Sequence, residues 1–378
     1  MTIEDELPRT AAVIEEGITT GLHVGAQLAV SLDGKPRAEL TVGQGSPDAE
    51  MTRDTLLPWF SMTKAVTSLC ALQQWERGAF DLDDPVATHI PEFGANGKDR
   101  VTIRHLLTHT GGFRTADGLS PNGAFSRGMA ESVAMICEAP LEPGWVPGRK
   151  AGYHPTSGMT ILAELVRRSD GRDFDQYVMD EVFLPLGMPD CSIGMSADLL
   201  AAKQAMLGVM HMTVGKEPLP LHAINDPELL SRVVPGAGGR GPMHQLVRFY
   251  ECLLGKGERE GVRIASTQTI EAMMARHRVE MFDETFQTVV DWGLGLHIDM
   301  ILMGRHCSPR AAGHGGAQSS IAFCDPEHGL AVAAVVNGMA GPAHHRRFEA
   351  ILSALYVDLD LAQEADPGRD HNLPKIAA

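Results

Sequence analysis

The sequence predicts an α/β fold with an added all-α part: an antiparallel sheet flanked by helices, with an inserted helical domain. Three observations support this prediction, namely a pair of strand patterns near the N-terminus, a second pair near the C-terminus, and a long helical pattern between them. Because an isolated hairpin is only marginally stable in water, the two pairs are expected to join in one sheet. Residues 1–60 and 245–378 are therefore predicted to form a discontinuous sheet domain, and residues 61–244 a mainly helical domain.

The strand predictions rest on short apolar-rich runs that are bounded by turn residues. The candidate strands are Val24–Leu32, Pro36–Val42, Trp292–Asp299, Ser319–Cys324 and Leu330–Asn337. Asp33-Gly34 separates the first two, and this dipeptide favours a tight hairpin turn because both of its residues tolerate a positive φ. Each end of the chain is therefore predicted to contribute antiparallel strands.

The middle of the chain has the pattern of amphipathic helices. Between Ser61 and about Tyr250 the apolar residues recur mostly at spacings of three and four, and Ser157–Arg168 and Met243–Leu254 are clear examples. Glycine and proline residues punctuate these runs. This segment is predicted to be predominantly helical, and the active site is expected in the cleft between it and the sheet.

The composition excludes several classes of protein. The chain has 378 residues, of which 44% are hydrophobic and 21% charged, as in an ordinary soluble globular protein. The net charge of −16 disfavours nucleic acid and anionic membranes as partners. No apolar run approaches the roughly 18 residues of a membrane span. We therefore expect a small-molecule partner, with no nucleic acid and no membrane span, and the oligomeric state is left open.

The N-terminal residues and the cysteines point to the cytoplasm. Met1–Leu7 is acidic, whereas a secretory signal begins with basic and then apolar residues. The six cysteines lie far apart and form no Cys-x-x-Cys pair, so buried reduced thiols are expected. No metal or organic cofactor is predicted. His105 and His109 have the spacing of two zinc ligands, but Leu106 stands where the zinc motif needs glutamate.

Ser61 and Lys64 open a long apolar helical run that ends at Gly78. A separation of three residues puts both side chains on one face of a helix, within reach of each other. This spacing suits a nucleophile and its base, provided that burial and nearby positive potential disfavour the charged form of the lysine. The alternative interpretation is a serine N-cap followed by a first-turn lysine.

Two further features agree with the catalytic interpretation. Tyr153 lies between a turn and a helical pattern, where a phenol can face a cleft and return a proton to a leaving group. Neighbouring ammonium groups are expected to favour its phenolate form. Gly313–Gln318 leads into a predicted strand, so the N–H groups of Ala317 and Ser61 can form a two-donor oxyanion site. Ordinary packing of the tyrosine and a glycine-rich turn are the alternatives.

The ordered set Ser61-Met62-Thr63-Lys64, Tyr153 and His314-Gly315-Gly316 resembles the triple motif of class C serine β-lactamases, penicillin-binding proteins and family VIII carboxylesterases. Connecting segments such as Val234–Gly239 also look similar, and the resemblance spans roughly Val24–Gly338. It implies a β-lactamase-like fold and a serine hydrolase with an SxxK motif, closest to the family VIII carboxylesterases. Ser61, Lys64 and Tyr153 are then the catalytic residues.

The departures from that pattern favour an esterase. Tyr153-His154-Pro155 lacks the asparagine that β-lactamases usually carry two residues after the tyrosine, and His314 replaces the lysine of their Lys-Thr-Gly motif. A neutral imidazole offers no full charge to a substrate carboxylate. We expect a carboxylesterase that works through a serine acyl-enzyme. The alternatives are an acyltransferase, a D-amino-acid peptidase or weak β-lactamase, and, in a different class, a non-catalytic acyl-binding sensor.

The predicted substrate-binding residues lie in the third motif, next to the tyrosine, or on a candidate strand. They are His314, Gly315, Gly316, Trp292 and His154. Trp292 is interpreted as an apolar lining residue, with core packing as the alternative. His344-His345-Arg346-Arg347 is interpreted as an exposed helix start rather than a site.

Overall fold

The protein is built around one antiparallel sheet. The computed structural model describes residues 6–116, 126–215 and 217–369, and within these ranges the sheet has seven strands. The strands are β1 (Gly25–Leu32), β2 (Lys35–Ser46), β3 (Ala49–Glu50), β4 (His297–Ile298), β5 (Ala312–Gly316), β6 (Ser320–Asp325) and β7 (Leu330–Val336). They lie side by side in the order β4-β5-β6-β7-β1-β2-β3, and every neighbouring pair is antiparallel.

The two ends of the chain meet in the middle of this sheet. Strand β1 pairs with β7 over its length, from Ala26 opposite Val336 to Leu32 opposite Leu330. Asp33 and Gly34 both have positive φ, 52° and 72°, and they form the tight turn between β1 and β2. The prediction of one antiparallel sheet from both chain ends is therefore confirmed, together with its Asp-Gly hairpin.

Two strand predictions near the C-terminal end differ from the structure. Gly313–Gly316 was expected to precede a strand, with a glycine-rich turn as the alternative, but it lies in strand β5, which pairs with β6. Trp292–Asp299 was expected to be a strand, but only His297–Ile298 is one. Gly295 explains the shortening, because its φ is 86° and a Cβ there would lie 1.9 Å from Ser68 Oγ on a neighbouring helix. In β5, close approach of the backbone to other groups is the reason for Gly313 and Gly316, since a Cβ would lie 2.3 Å from the carbonyl oxygen of Ala322 at the first and 2.2 Å from that of Trp59 at the second.

Helices surround the sheet and fill the segment between β3 and β4. Those in the described ranges are α1 (Pro8–Thr19), α2 (Thr63–Glu76), α3 (Val86–His89), α4 (Ile103–Leu107), α5 (Met129–Glu138), α6 (Ser157–Asp170), α7 (Phe174–Val178), α8 (Ala197–Lys203), α9 (Pro227–Leu230), α10 (Met243–Leu254), α11 (Thr267–Met274) and α12 (His344–Asp358). Helix α10 has the bounds that its periodicity predicts. None of these described helices has the length and apolar character needed to cross a bilayer.

The sheet separates two hydrophobic cores because its side chains alternate between faces. On one face, Phe323 and Val332 pack with residues of α1 and α12, such as Leu352. On the other face, alanines such as Ala322 and Ala333 belong to the large core that includes α10 and α2. Small side chains on this second face allow the helices to approach the sheet closely.

Short ladders tie the remaining segments together. Leu57–Pro58 and Ser192–Ile193 flank Gly239–Gly241, His211–Met212 pairs with Leu219–Pro220 and with Gly338–Met339, Glu258–Arg259 pairs with Val262–Arg263, and Phe282–Asp283 pairs with Thr288–Val289. The first of these ladders fixes the chain just before α2. The division into domains at residues 61 and 245 stays a prediction, and its outer ends, residues 1–5 and 370–378, lie outside the described residues.

Strand β5 lies directly against the turn that precedes α2, and Gly316 makes this contact possible. A Cβ at Gly316 would lie 2.2 Å from the carbonyl oxygen of Trp59 and 2.3 Å from Ser320 Oγ. We expect Gly316→Ala to lower the free energy of unfolding by about 1–3 kcal/mol, because the strand must shift away from the turn. Thermal denaturation measures this loss.

The matched control is Gly215→Ala, at an exposed position where a Cβ would meet nothing within 4 Å. Its thermal midpoint should equal that of the wild type. Equal midpoints for both variants would contradict the close packing of β5 on the turn.

Candidate active site

Ser61 lies in a strained turn at the start of a buried helix. The turn is a 3₁₀ helix, Phe60–Met62, which leads directly into α2. Phe60 has a φ of 48°, a left-handed conformation that an aromatic residue rarely adopts. The N–H of Trp59 donates to the carbonyl of Gly239 at 2.8 Å, and its indole N–H donates to the carbonyl of Gly241 at 2.9 Å. These bonds hold the turn in place.

Ser61 is not the helix cap that the alternative interpretation required. The N-cap position of α2 is Met62, and no side chain caps it. Ser61 instead accepts hydrogen bonds at Oγ from the two other predicted catalytic side chains. Lys64 Nζ donates at 3.0 Å, and the hydroxyl of Tyr153 donates at 2.7 Å. The three predicted catalytic residues therefore meet at one oxygen atom.

Lys64 is fully buried, and the protein holds its amine on more than one side. Nζ donates to the carbonyl of Gly236 at 2.7 Å and lies 4.9 Å from the centre of the Tyr153 ring. The segment around Gly236 runs along α2, since Thr67 Oγ1 donates to the carbonyl of Pro235 at 2.6 Å. Sequence reasoning noted Val234–Gly239 only as a connecting segment and missed this role for its carbonyl groups.

Tyr153 is a protonated phenol in this site, not the predicted phenolate. Tyr153 is buried, with a relative exposure of 7%. Burial, the largest effect, raises the pKa of Tyr153 above its ordinary value; the hydrogen bond to Ser61 lowers it by less, and the charge of Asp283, the smallest effect, raises it. The expectation of a phenolate considered nearby cations alone and overlooked the cost of burying the charged form.

Two buried histidines contact the ring of Tyr153, and two more contact those histidines. The ring of His109 lies 4.8 Å from the ring of Tyr153, and that of His314 lies 5.9 Å from it. His297 lies 5.1 Å from His314, and His154 lies 5.7 Å from His109. Sequence reasoning assigned no site role to His297, and for His109 it preferred a structural role in the loop over a zinc ligand without identifying the contact with Tyr153.

These imidazoles are uncharged at neutral pH because burial disfavours their protonated forms. Burial lowers the pKa of His154 to about 4 and that of His297 to about 3. It also holds the pKa values of His109 and His314 well below the ordinary value. The surroundings of Tyr153 are therefore aromatic and mostly neutral.

The tautomer of His314 follows from its hydrogen bond. Nδ1 lies 2.5 Å from the carbonyl oxygen of Gly315, so in the neutral ring Nδ1 carries the proton and donates it. Nε2 is then an acceptor, and it has no hydrogen-bond partner within the described residues. The first position of the third motif thus presents a lone pair, where a lysine would present a positive charge.

The structure places the predicted substrate-binding residues at different depths. His314 and Gly316 are buried, and Gly315 is half-buried. Trp292 is completely buried, and its ring stacks on that of Tyr153 at 5.9 Å. His154 is 1% exposed, and its Nε2 accepts from the N–H of Phe113 at 3.4 Å. Trp292 and His154 therefore occupy packing positions behind the tyrosine.

Ala317, the predicted oxyanion donor, is exposed and follows β5 directly. The next residue, Gln318, has a φ of 63° and accepts at its carbonyl from the buried guanidinium of Arg347. Arg347 also donates to the carbonyl of Gly338 at 3.0 Å. The interpretation of His344–Arg347 as an exposed helix start was wrong for Arg347, because its cation anchors the turn after β5.

His105 and His109 are both used by the backbone rather than by a shared ligand. His105 Nδ1 accepts from the N–H of Thr102 at 3.1 Å as part of a helix cap on α4. His109 Nδ1 accepts from the N–H of His154 at 3.2 Å. The spacing that resembles a zinc motif here reflects a capped turn followed by a buried loop.

Most of the chain is similar to known proteins. A family model described as Beta-lactamase matches residues 10–356. The "Esterase/beta-lactamase LipL" of Mycobacterium tuberculosis is 28% identical over 355 residues, which cover 84% of this chain and 78% of that protein.

Solved structures agree in fold. A penicillin-binding protein homologue from Caulobacter crescentus superposes with a TM-score of 0.80 at 26% identity, covering 94% of this chain and 98% of the other. A family VIII carboxylesterase superposes with a TM-score of 0.78 at 25% identity, covering 92% and 96%. These findings confirm the resemblance inferred from the three motifs, and the chain belongs to the Beta-lactamase family as a serine hydrolase of the β-lactamase-like superfamily.

Proposed function

We propose that this protein is a carboxylesterase that cleaves small uncharged esters through an acyl-enzyme on Ser61. The observation that carries the proposal is the pair of hydrogen bonds at Ser61 Oγ, 3.0 Å from Lys64 Nζ and 2.7 Å from the Tyr153 hydroxyl. A hydroxyl that contacts both an amine and a phenol has a base and an acid within reach of one reacting atom.

In the proposed acylation, the neutral amine of Lys64 takes the proton of Ser61, and Oγ attacks the carbonyl carbon of the ester. This step requires the amine in its unprotonated form. The N–H groups of Ser61 and Ala317 stabilise the oxyanion. When the intermediate collapses, Tyr153 gives its proton to the leaving alkoxide and regains one from Lys64. The products of the acylation step are an acyl-serine and an alcohol.

Deacylation reverses the proton transfers. A water molecule gives its proton to the Lys64–Tyr153 pair and attacks the acyl carbon, and Ser61 leaves with the returned proton. The carboxylic acid is released. A protonated Tyr153 suits this role because a phenol, unlike a phenolate, has a proton to donate to the leaving alkoxide.

The third motif, His314-Gly315-Gly316, favours uncharged substrates over those with a carboxylate. His314 is neutral and its Nε2 is an acceptor, so the residue repels rather than binds a substrate carboxylate. Pro155 replaces the amide side chain that would grip a peptide-like substrate. Both features support esters over β-lactams and D-amino-acid peptides.

The proposed location is the cytoplasm, with a small-molecule ester as the partner. In the described part of the chain all six cysteines are buried free thiols. Unpaired thiols in this number are typical of a reducing compartment.

Substitution of the nucleophile tests the proposed reaction. We expect Ser61→Ala to lower the rate of p-nitrophenyl butyrate hydrolysis by about 10³-fold or more and to abolish labelling by a fluorophosphonate, because the acylated atom is gone. The matched control is Ser169→Ala, an exposed serine whose hydroxyl only bonds its own helix. Undiminished hydrolysis by the Ser61 variant would refute the mechanism, and stoichiometric labelling without turnover in the wild type would indicate an acyl-binding sensor instead.

Product analysis separates hydrolysis from acyl transfer. An acyl-enzyme is released by whichever nucleophile reaches it, so the proposal predicts free acid as the main product of p-nitrophenyl butyrate even when alcohols and amines are present. Chromatography of the products across a panel of acceptors measures the partition. A dominant ester or amide product would assign the protein as an acyltransferase.

The pH dependence tests the charge state of His314. Because its pKa is depressed, the charged imidazole forms only well below pH 6.5, and any effect of that charge on the rate is confined to the same acidic range. Between about pH 6 and pH 8 the kcat/KM profiles of the wild type and His314→Gln should therefore have the same shape. An inflection near pH 6.5 in the wild type that the variant lacks would show that His314 titrates normally.

A further inference from the structure

A buried carboxylate holds the backbone of Tyr153. Asp283 Oδ1 accepts from the N–H of Tyr153 at 3.1 Å, and it also accepts from the N–H groups of Thr285 at 2.8 Å and Phe286 at 2.9 Å. Thr285 Oγ1 in turn donates to the carbonyl of Tyr153 at 3.0 Å. Both backbone polar groups of the tyrosine are therefore bound by one short segment, more than 120 residues away in the sequence.

The same segment also holds the tyrosine ring. The ring of Phe286 stacks on it at 4.7 Å with an angle of 27° between the planes, and Trp292 stacks on it at 5.9 Å with an angle of 25°. Phe286 lies between the paired strands Phe282–Asp283 and Thr288–Val289, and Trp292 lies just beyond them. Contacts with nearly parallel rings restrict how far the phenol can tilt.

Arg278 connects these parts. Its guanidinium donates to Asp283 Oδ2 at 3.0 Å, to the carbonyl of Val290 at 2.9 Å and to the carbonyl of Thr108 at 3.2 Å, and it lies 5.3 Å from the centre of the Trp292 ring. Arg278 and Asp283 are 1% and 0% exposed. The ion pair thus joins the carboxylate that holds the tyrosine backbone to the indole behind its ring.

We propose that Asp283, held by Arg278, is a positioning residue that keeps the phenol of Tyr153 at hydrogen-bond distance from Ser61 Oγ. This inference rests on the proposed acyl-enzyme function, and neither residue touches Ser61 or Lys64 in the hydrogen bonds described. Burial of an ion pair gains little stability over an apolar replacement, so stability alone does not explain charges at this place. A group that sets the position of a proton donor does explain them, because a displacement of about 1 Å costs about 100-fold in rate.

Two substitutions at Asp283 separate its charge from its hydrogen-bonding oxygen. Asp283→Ala removes the acceptor for all three N–H groups, and we expect kcat to fall about 100-fold with KM within about threefold of the wild type. Asp283→Asn keeps one acceptor oxygen but loses the charge that holds Arg278. Its kcat should therefore fall by less than that of Asp283→Ala. Steady-state rates of p-nitrophenyl butyrate hydrolysis measure kcat and KM separately.

The control must destabilise the protein without touching the tyrosine. Glu251 on α10 is a buried carboxylate that pairs with Arg259 and makes no bond described to the site. Glu251→Gln should lower the thermal midpoint as the Asp283 variants do, yet keep the wild-type kcat. If Glu251→Gln lost as much kcat as Asp283→Asn, general destabilisation would explain both losses and the inference would fail.

A readout independent of turnover keeps this inference separate from the esterase proposal. The chain has four tyrosines, so ¹³Cζ-tyrosine labelling gives few NMR signals, and Tyr153→Phe assigns the one of interest. We expect that signal to shift or broaden in both Asp283 variants and to stay unchanged in Glu251→Gln. An inactive wild type whose Tyr153 signal still moves in the variants would refute the esterase function but support the positioning role. An unchanged signal and unchanged kcat in Asp283→Ala would overturn the positioning role.

Discussion

The contact between the Tyr153 hydroxyl and Ser61 Oγ, at 2.7 Å, is the constraint on which the rest of the site depends. Ser61 and Lys64 are neighbours on one turn of helix, so their approach needs only local structure. Tyr153 is more than ninety residues away, and its phenol reaches the serine only because loops, helix α2 and the segment from Arg278 to Trp292 pack together. A proton donor must be held this closely to act.

Low polarity around the tyrosine is the second condition. Burial keeps the phenol protonated and the nearby imidazoles of His297 and His314 neutral. The proposed mechanism requires the amine of Lys64 in its unprotonated form next to this protonated phenol. The same neutral surroundings support the proposed preference for uncharged esters.

Sequence reasoning succeeded where the signal is local or ordered along the chain. The Asp33-Gly34 turn, the periodicity of Met243–Leu254 and the Ser61-x-x-Lys64 spacing each encode their structure within a few residues. It failed where burial decided the outcome. The phenolate expected at Tyr153 and the exposed helix start expected at Arg347 both depend on what packs around the residue, and no short pattern reports that.

The amino-acid sequence alone determined the family, the antiparallel pairing of the two chain ends and the three residues that converge on one oxygen atom, because motif order and residue periodicity are properties of the chain itself. Only the tertiary structure decided the protonation of the tyrosine, the tautomer of His314 and the contacts that Asp283 makes with Tyr153. Those properties arise from distant segments that exclude water from one another, and solvation and distance exist only once the chain has folded.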